Sequence, residues 1–214
     1  MQTGPLETST PASTPLLLDI CERIFIGCLY AALAERFWTS FLIRHDWKDL
    51  MALTSETLVV LMMLLRRPAR EMSRRWSDWL LAFGATCLPL LIEPNDPAHY
   101  TATMAGAWLM GLGFALQIWC KYHIFRNFGV APALRHVVST GPYRFVRHPI
   151  YASYAVFQIG LILTFPSFWN AAVLGANALL QIARIFAEER LLSTDPLYRA
   201  YQARVRWRLA PGIF

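Results

Sequence analysis

Charged residues are scarce in this chain of 214 residues: Asp, Glu, Lys and Arg make up 16% of it, and 56% of its residues are hydrophobic. Soluble domains carry about 25% charged and about 45–50% apolar residues. A very apolar soluble bundle would still need a polar face on each helix, and the stretches 101–119 and 150–163 have none. The scarcity of charge therefore excludes an ordinary soluble domain and indicates residence in a membrane.

The chain also lacks the short motifs of several other protein classes. Its four cysteines form no C-x-x-C pair, and its histidines form no H-x-x-x-H or H-E-x-x-H pattern, so we assign no metal. No glycine-rich dinucleotide fingerprint is present. The net charge of +6 could indicate nucleic acid, but the cations lie in loops between apolar runs, as membrane topology requires. We therefore expect no nucleic-acid partner.

Residues 1–15 are rich in Thr, Ser and Pro and contain no Lys or Arg. A secretory signal needs a basic start before its apolar stretch. We expect this segment to be a short disordered tail and not a cleaved signal.

Six apolar segments follow, and each is long enough to form a helix, the structure that lipid accepts because it satisfies its own backbone groups. We predict an all-α, polytopic membrane helix bundle of about six transmembrane helices plus a C-terminal amphipathic helix. The first segment carries five charged residues, which either pair inside a bundle or mark a surface helix. The segments run Leu16–Ile43, Leu50–Leu65, Trp76–Ile92, Thr101–Trp119, Ile150–Phe165 and Trp169–Ala187.

The loops between these segments alternate in charge. Residues 66–75, 121–147 and 184–208 are rich in Arg, whereas the loops 93–97 and 164–170 contain no Lys or Arg. Basic loops stay on the cytoplasmic side of a membrane. We therefore expect an integral membrane protein, of a bacterial inner membrane, with both termini cytoplasmic.

One polar cluster lies directly before the fifth segment, in Gly141–Tyr151 (GPYRFVRHPIY). Pro149 suits the first turn of a helix, with His148 at the cap, and the free N–H groups of a helix start favour electron-rich ligand atoms. The cluster is therefore either a cofactor cradle or a membrane-interface anchor. Gly141-Pro142 predicts a turn that directs Tyr143 towards the same place, either to stack on a purine or as an interfacial tyrosine.

A second polar cluster follows the sixth segment. Arg184 and Glu188 are four residues apart and share a helix face, where a ligand with both an ammonium and a carboxylate group could satisfy both, or where they form a plain surface pair. Glu189 is the rival for the role of Glu188. Beyond it, the helical spacing of Tyr198, Tyr201, Val205 and Leu209 predicts an amphipathic helix that lies on the membrane or covers the site as a lid.

These two motifs, in this order, resemble the isoprenylcysteine carboxyl methyltransferase family, one of the integral-membrane methyltransferases that also include phospholipid methyltransferases. The resemblance covers roughly residues 110–214 and implies that 101–214 form the catalytic core, after N-terminal transmembrane helices in 16–100. It implies S-adenosylmethionine as methyl donor and Arg184 facing the methyl acceptor. The implied cofactor contacts are Arg135, His136, Val137, Val138, Tyr143, His148, Pro149, Ile150, Tyr151 and Glu188.

The resemblance implies methylation of the carboxylate of an isoprenylcysteine-like or other lipophilic acceptor, a small molecule or prenylated peptide, at the cytoplasmic face among membrane lipids. A carboxylate nucleophile needs no general base. The alternatives are a phospholipid or amine N-methyltransferase, which would need a proton acceptor near the nucleophile, an NADPH-dependent membrane reductase, and a non-enzymatic membrane protein. The sequence predicts no particular oligomeric state.

Overall fold

The computed structural model describes residues 13–45, 47–93 and 104–214. These residues form seven α-helices and one pair of two-residue strands, β1 (Glu71–Met72) and β2 (Ala133–Leu134), so the predicted all-α class is confirmed. Most of the predicted N-terminal tail and of the loop after residue 93 lies outside the described residues. The helices are α1 (Ser13–Arg44), α2 (Trp47–Leu65), α3 (Trp76–Cys87), α4 (Met104–Ile124), α5 (Pro149–Thr164), α6 (Phe168–Leu192) and α7 (Pro196–Arg204).

Helix α6 alone, among the helices in the described residues, is both long and apolar enough to cross a membrane by length and composition. Helix α5 is apolar but has 16 residues, fewer than the roughly 20 that span a hydrocarbon core. Helix α1 carries charges along its length, including Asp19, Glu22 and Arg23. The predicted count of six transmembrane helices is therefore not confirmed.

The helices pack in pairs, α1 against α2, α4 against α5 and α3 against α6. Two glycines bring α4 and α5 into backbone contact. A Cβ atom on Gly113 would lie 2.6 Å from the backbone nitrogen of Phe157, and one on Gly160 would lie 2.6 Å from that of Met110. Small residues allow such close approach between helices in lipid.

The basic loops predicted for the cytoplasmic side meet at one end of the bundle. Strand β1, between α2 and α3, pairs antiparallel with β2, between α4 and α5. The Arg67 N–H donates to the Arg126 carbonyl at 2.7 Å, and the Arg147 N–H donates to the Trp207 carbonyl at 2.9 Å. These bonds join three parts of the chain at this end of the bundle: the loop after α2, the loop between α4 and α5, and the segment after α7.

The exterior of the helices is strongly apolar. Met104 and Trp108 on α4 are 76% and 72% exposed, and Leu179 on α6 is 70% exposed. Large apolar side chains are exposed on each of α1 to α6, whereas a soluble monomer exposes them mostly as scattered single residues. The side chains that face inward join α1, α2, α4 and α6 in a core that includes Ile26, Met62, Met63, Cys120 and Ile185.

We expect Gly113→Ala to destabilise the protein by about 1–3 kcal/mol, because its methyl group would collide with the α5 backbone. Gly111→Ala, in the same helix, is the matched control, since nothing lies within 4 Å of its added Cβ. Thermal unfolding of the purified protein in detergent measures both. Equal unfolding temperatures for the two variants would contradict the close helix contact.

Candidate functional site

The start of α5 is built as the sequence predicts, with His148 at the N-cap and Pro149 in the first turn. The C-terminal segment holds this start in place. The N–H groups of Arg147 and His148 donate to the carbonyls of Trp207 and Arg208, at 2.9 and 2.8 Å. The His148 ring stacks on Tyr151, with 5.6 Å between the ring centroids.

The turn before α5 depends on Gly141, whose φ of +57° is a left-handed conformation that favours glycine. A Cβ there would also lie 2.2 Å from His123 Nε2. The following 3₁₀ turn buries Tyr143, whose hydroxyl has no hydrogen-bond partner among the described residues. Burial raises the pKa of this phenol, so it stays a neutral donor at pH 7.

The two adjacent carboxylates at the end of α6 have different partners. Glu189 is buried and accepts from Arg147 Nε at 2.7 Å and from Arg208 Nε at 2.8 Å, and it lies 3.2 Å from His148 Nε2. Glu188 Oε1 accepts from the Tyr151 hydroxyl and, at 3.1 Å, from Arg184 Nε. Glu189 therefore ties the fold together, whereas Glu188 is left on the side of the cavity.

The two polar clusters of the sequence meet in one place, since Glu188 Oε2 lies 3.9 Å from His148 Nδ1. They line a cavity of about 310 Å³. Of the implied cofactor contacts and Arg184, all but Pro149 line this cavity in the described structure. Those that do are Arg135, His136, Val137, Val138, Tyr143, His148, Ile150, Tyr151, Arg184 and Glu188.

Arg184 lies over the ring of Tyr151, 5.1 Å from its centroid. Besides its bond to Glu188, it donates from Nη2 to the carbonyl of Val130 at 2.6 Å. Its guanidinium group therefore connects α6 to the loop between α4 and α5. The role that the resemblance implies for it, facing the acceptor, stays a prediction.

Buried acidic residues of α1 hold the cavity loop, and sequence reasoning did not give them this role. Glu22 Oε1 accepts from the N–H groups of Val130 and Ala131 at 2.6 and 2.9 Å. Asp19 pairs with Arg66 at 2.9 Å and with Arg135 at 2.8 Å. Asp19 and Glu22 of the first segment thus pair inside the bundle, as one of the two alternatives left open by the sequence has it, whereas Glu35 and Arg36 are exposed.

Arg135 serves this ion-pair network as well as lining the cavity. Burial lowers the pKa of its guanidinium, as does repulsion from Arg66, while Glu22 and Asp19 act against that shift. An arginine stays charged under such a shift. Its side chain therefore holds the loop to α1, and its predicted cofactor contact remains a prediction.

Helix α7 closes the cavity on one side. Tyr198 and Tyr201 are buried against Val137 and Leu192, and both line the cavity. The Tyr201 hydroxyl donates to the Tyr143 carbonyl at 2.6 Å. The helix ends at Arg204, so the predicted amphipathic stripe is shorter than its sequence pattern, and its tyrosines face the protein. This arrangement fits a lid.

Asp195 fixes the start of α7. Its carboxylate accepts from the Leu197 N–H at 2.8 Å and from Arg70 Nη2 at 2.6 Å. The Leu197 N–H, together with Arg70, lowers the pKa of this carboxyl group. Through this bond to Arg70, the start of α7 is held to the loop that follows α2.

We define the inner end of the cavity as the part lined by residues of α1, α2, α4 and α6, namely Tyr30, Ser55, Glu56, Gln117, Lys121 and Gln181. Lys121 Nζ donates to Ser55 Oγ at 2.7 Å. Glu56 Oε2 and Gln181 Oε1 are buried with no hydrogen-bond partner in the described part of the chain. The sequence feature that could have pointed to this end of the cavity is the polar pair Ser55-Glu56 inside the apolar second segment.

This donor and acceptor set fits S-adenosylmethionine. Glu188 offers a carboxylate to an ammonium group, and two buried phenols at the cavity, Tyr143 and Tyr198, have hydroxyls that lack a partner among the residues described. Burial also raises the pKa of Tyr198. The described residues contain no group of three or more side chains arranged to hold a metal ion.

The family model of the phospholipid methyltransferases matches residues 101–199. This segment contains both motifs that line the cavity, from α4 to the first residues of α7. The resemblance to integral-membrane methyltransferases is thereby supported at the level of that wider group, but the isoprenylcysteine-specific family is not confirmed. No curated protein matches the chain.

We expect Glu189→Gln to lower the free energy of unfolding by about 3 kcal/mol, because it leaves the buried Arg147 without its carboxylate. Glu188→Gln, one residue away, should cost markedly less. Thermal and denaturant unfolding in detergent compare the two. An equal or larger loss for Glu188→Gln would contradict the division of roles between them.

Proposed function

We propose that the protein is an integral-membrane, S-adenosylmethionine-dependent methyltransferase that acts on a lipophilic acceptor. The observation that carries the proposal is the position of Glu188, on the cavity and 3.9 Å from His148, while Glu189 is taken up by ion pairs. The match of residues 101–199 to the phospholipid methyltransferases supports the same reaction type.

The cavity suits the parts of the cofactor. Glu188 would hold the ammonium group, and Tyr143 and Tyr198 would meet the adenosine with their rings or free hydroxyls. The bound cofactor supplies a methyl group that is already activated on a sulfonium. The residues around it therefore have to position the two reactants and exclude water, and the tyrosines of α7 are placed to do the latter.

A membrane setting is supported by the apolar exterior of the helices and by the length and composition of α6. The basic loops that contact one another at one end favour a cytoplasmic site with both termini on that side. Placement in a bacterial inner membrane remains part of the proposal.

Two acceptor classes compete. A carboxylate, as in isoprenylcysteine, would need Arg184, whose guanidinium already bonds Glu188 and Val130. An amine, as in a phospholipid headgroup, needs a proton acceptor, and Glu56 has an oxygen without a partner among the described residues. The description of the matched family also favours a phospholipid. We therefore favour the amine.

We expect Glu188→Gln to weaken S-adenosylmethionine binding about tenfold or more, since a charge-assisted bond to the ammonium group is lost. Calorimetric titration of the purified protein measures this. Glu71→Gln, an exposed carboxylate on β1, is the control and should bind as the wild type does. Unchanged affinity in Glu188→Gln would remove this residue from the cofactor site.

The acceptor class is distinguished by the product. We expect methyl-labelled S-adenosylmethionine to give N-methylated phosphatidylethanolamine from vesicles of this lipid. Its label should stay non-volatile in mild base, because the N-methyl bond is not hydrolysed although the acyl esters are. An isoprenylcysteine analogue, offered in parallel, would give an alkali-labile methyl ester. Label found only in the ester would reverse our preference.

A further inference from the structure

We propose that Glu56, on α2, is the catalytic proton acceptor for the amine that receives the methyl group. The assignment rests on the proposed function, both its methyl donor and its amine acceptor. It concerns a residue outside the segment 101–199 that matches the methyltransferase family, so nothing in that match points to it.

The first argument is the unpaired oxygen of Glu56. The side chain lines the inner end of the cavity, and its Oε2 is buried without a hydrogen-bond partner in the described structure. A buried acceptor left unpaired is costly, and more so when the group is charged. An ammonium group in the cavity would supply the missing donor.

The second argument is that the nearby cation has its own partner. Lys121, which is 2% exposed, donates from Nζ to Ser55 Oγ at 2.7 Å and approaches the Ser55 carbonyl at 3.4 Å. It lies within electrostatic range of Glu56. Because its hydrogen bonds go to Ser55, the Glu56 oxygen stays available to a ligand.

The third argument is that Glu56 and the cofactor end share one cavity. Tyr154, on α5, also lines this cavity and lies within electrostatic range of Glu56, Arg184 and Glu188. Tyr30, on α1, is likewise within range of Glu56 and Arg184. An amine held at Glu56 would therefore lie in the same enclosure as a cofactor held at Glu188.

The ionisable groups that face Glu56 come from three helices: Tyr30 from α1, Lys121 from α4 and Tyr154 from α5. Helix α3 contributes Ala85 and Thr86, which do not ionise, and α6 contributes Gln181 and, towards the cofactor end, Arg184. Glu56 is the acidic group of this set, which makes it the natural destination for a proton.

The proton and electron balance is simple. An amine headgroup enters as its ammonium form, and Glu56 takes one proton from it, which leaves a lone pair on the nitrogen. With the sulfonium bound, a nitrogen–carbon bond forms to the methyl group while the carbon–sulfur bond breaks and its electron pair stays on sulfur. The product is a methylated ammonium, and Glu56 then gives its proton to water.

The test uses full-length protein in vesicles of phosphatidylethanolamine with labelled methyl donor. At pH 7, Glu56→Gln should lower the methylation rate about 100-fold, the usual contribution of a general base. The difference in methylation rate between Glu56→Gln and wild type should shrink as the pH rises towards the amine pKa of about 10. The amine then loses its proton to solvent and no longer needs the carboxylate. Glu35→Gln, an exposed carboxylate on α1, should leave the rate unchanged. A Glu56→Gln rate within twofold of wild type would overturn the proposal.

A second measurement needs no turnover. Affinity for a short-chain phosphatidylethanolamine, measured without cofactor, should fall about tenfold in Glu56→Gln and recover in part in Glu56→Asp, while affinity for S-adenosylmethionine stays as in wild type. Loss of cofactor affinity in Glu56→Gln would make the residue structural and overturn its catalytic role. Failure of the wild type itself to bind S-adenosylmethionine would instead overturn the proposed function.

Discussion

The buried carboxylate of Glu189 is the contact on which the site depends. It joins three parts of the chain that are distant in sequence: the end of α6, the residues that start α5, and the segment after α7 through Arg208. Such a buried ion pair is favourable only when its charges are well satisfied, and here one carboxylate serves two arginines and a histidine. Because Glu189 makes these ion pairs, its neighbour Glu188 forms hydrogen bonds only with Tyr151 and Arg184 among the contacts described and lines the cavity.

A second ion-pair network performs the same task on the other side of the cavity. Asp19 and Glu22 reach from α1 to the loop of Val130 and Arg135 and bond both its backbone and its side chain. Charges inside apolar helices are expensive unless paired, and they commonly mark functional regions. In this chain they support the loop that lines the cavity.

Much of the fold followed from the sequence. The six apolar segments coincide with α1 to α6 within a few residues, because long apolar runs bounded by Pro, Gly and Arg leave few other possibilities. The approach of His148 to Glu188 was also predictable from two clusters that bracket one helical hairpin. The number of helices that span a membrane did not follow, since α1 carries charges whose partner, Arg66 after the end of α2, only the fold reveals.

The site itself was predictable only in its C-terminal half. Glu188 and Glu189 are neighbouring residues of the same type, so the sequence does not distinguish their roles. The fold does, because Arg147 and Arg208 contact the side of α6 that carries Glu189. The position of Glu56 at the cavity could not be predicted either, because it depends on how α2 packs and not on any local sequence pattern.

The bonds from Glu22 to the backbone of Val130 and Ala131 have a consequence for how the chain can be divided. Residues 101–199 carry the recognisable motifs, yet they contain neither the acids that hold the cavity loop, Asp19 and Glu22, nor Arg208, which bonds Glu189 from beyond α7. The segment that bears the family likeness is therefore not an autonomous unit: as an excised fragment it would retain its motifs but not the shape that makes them useful.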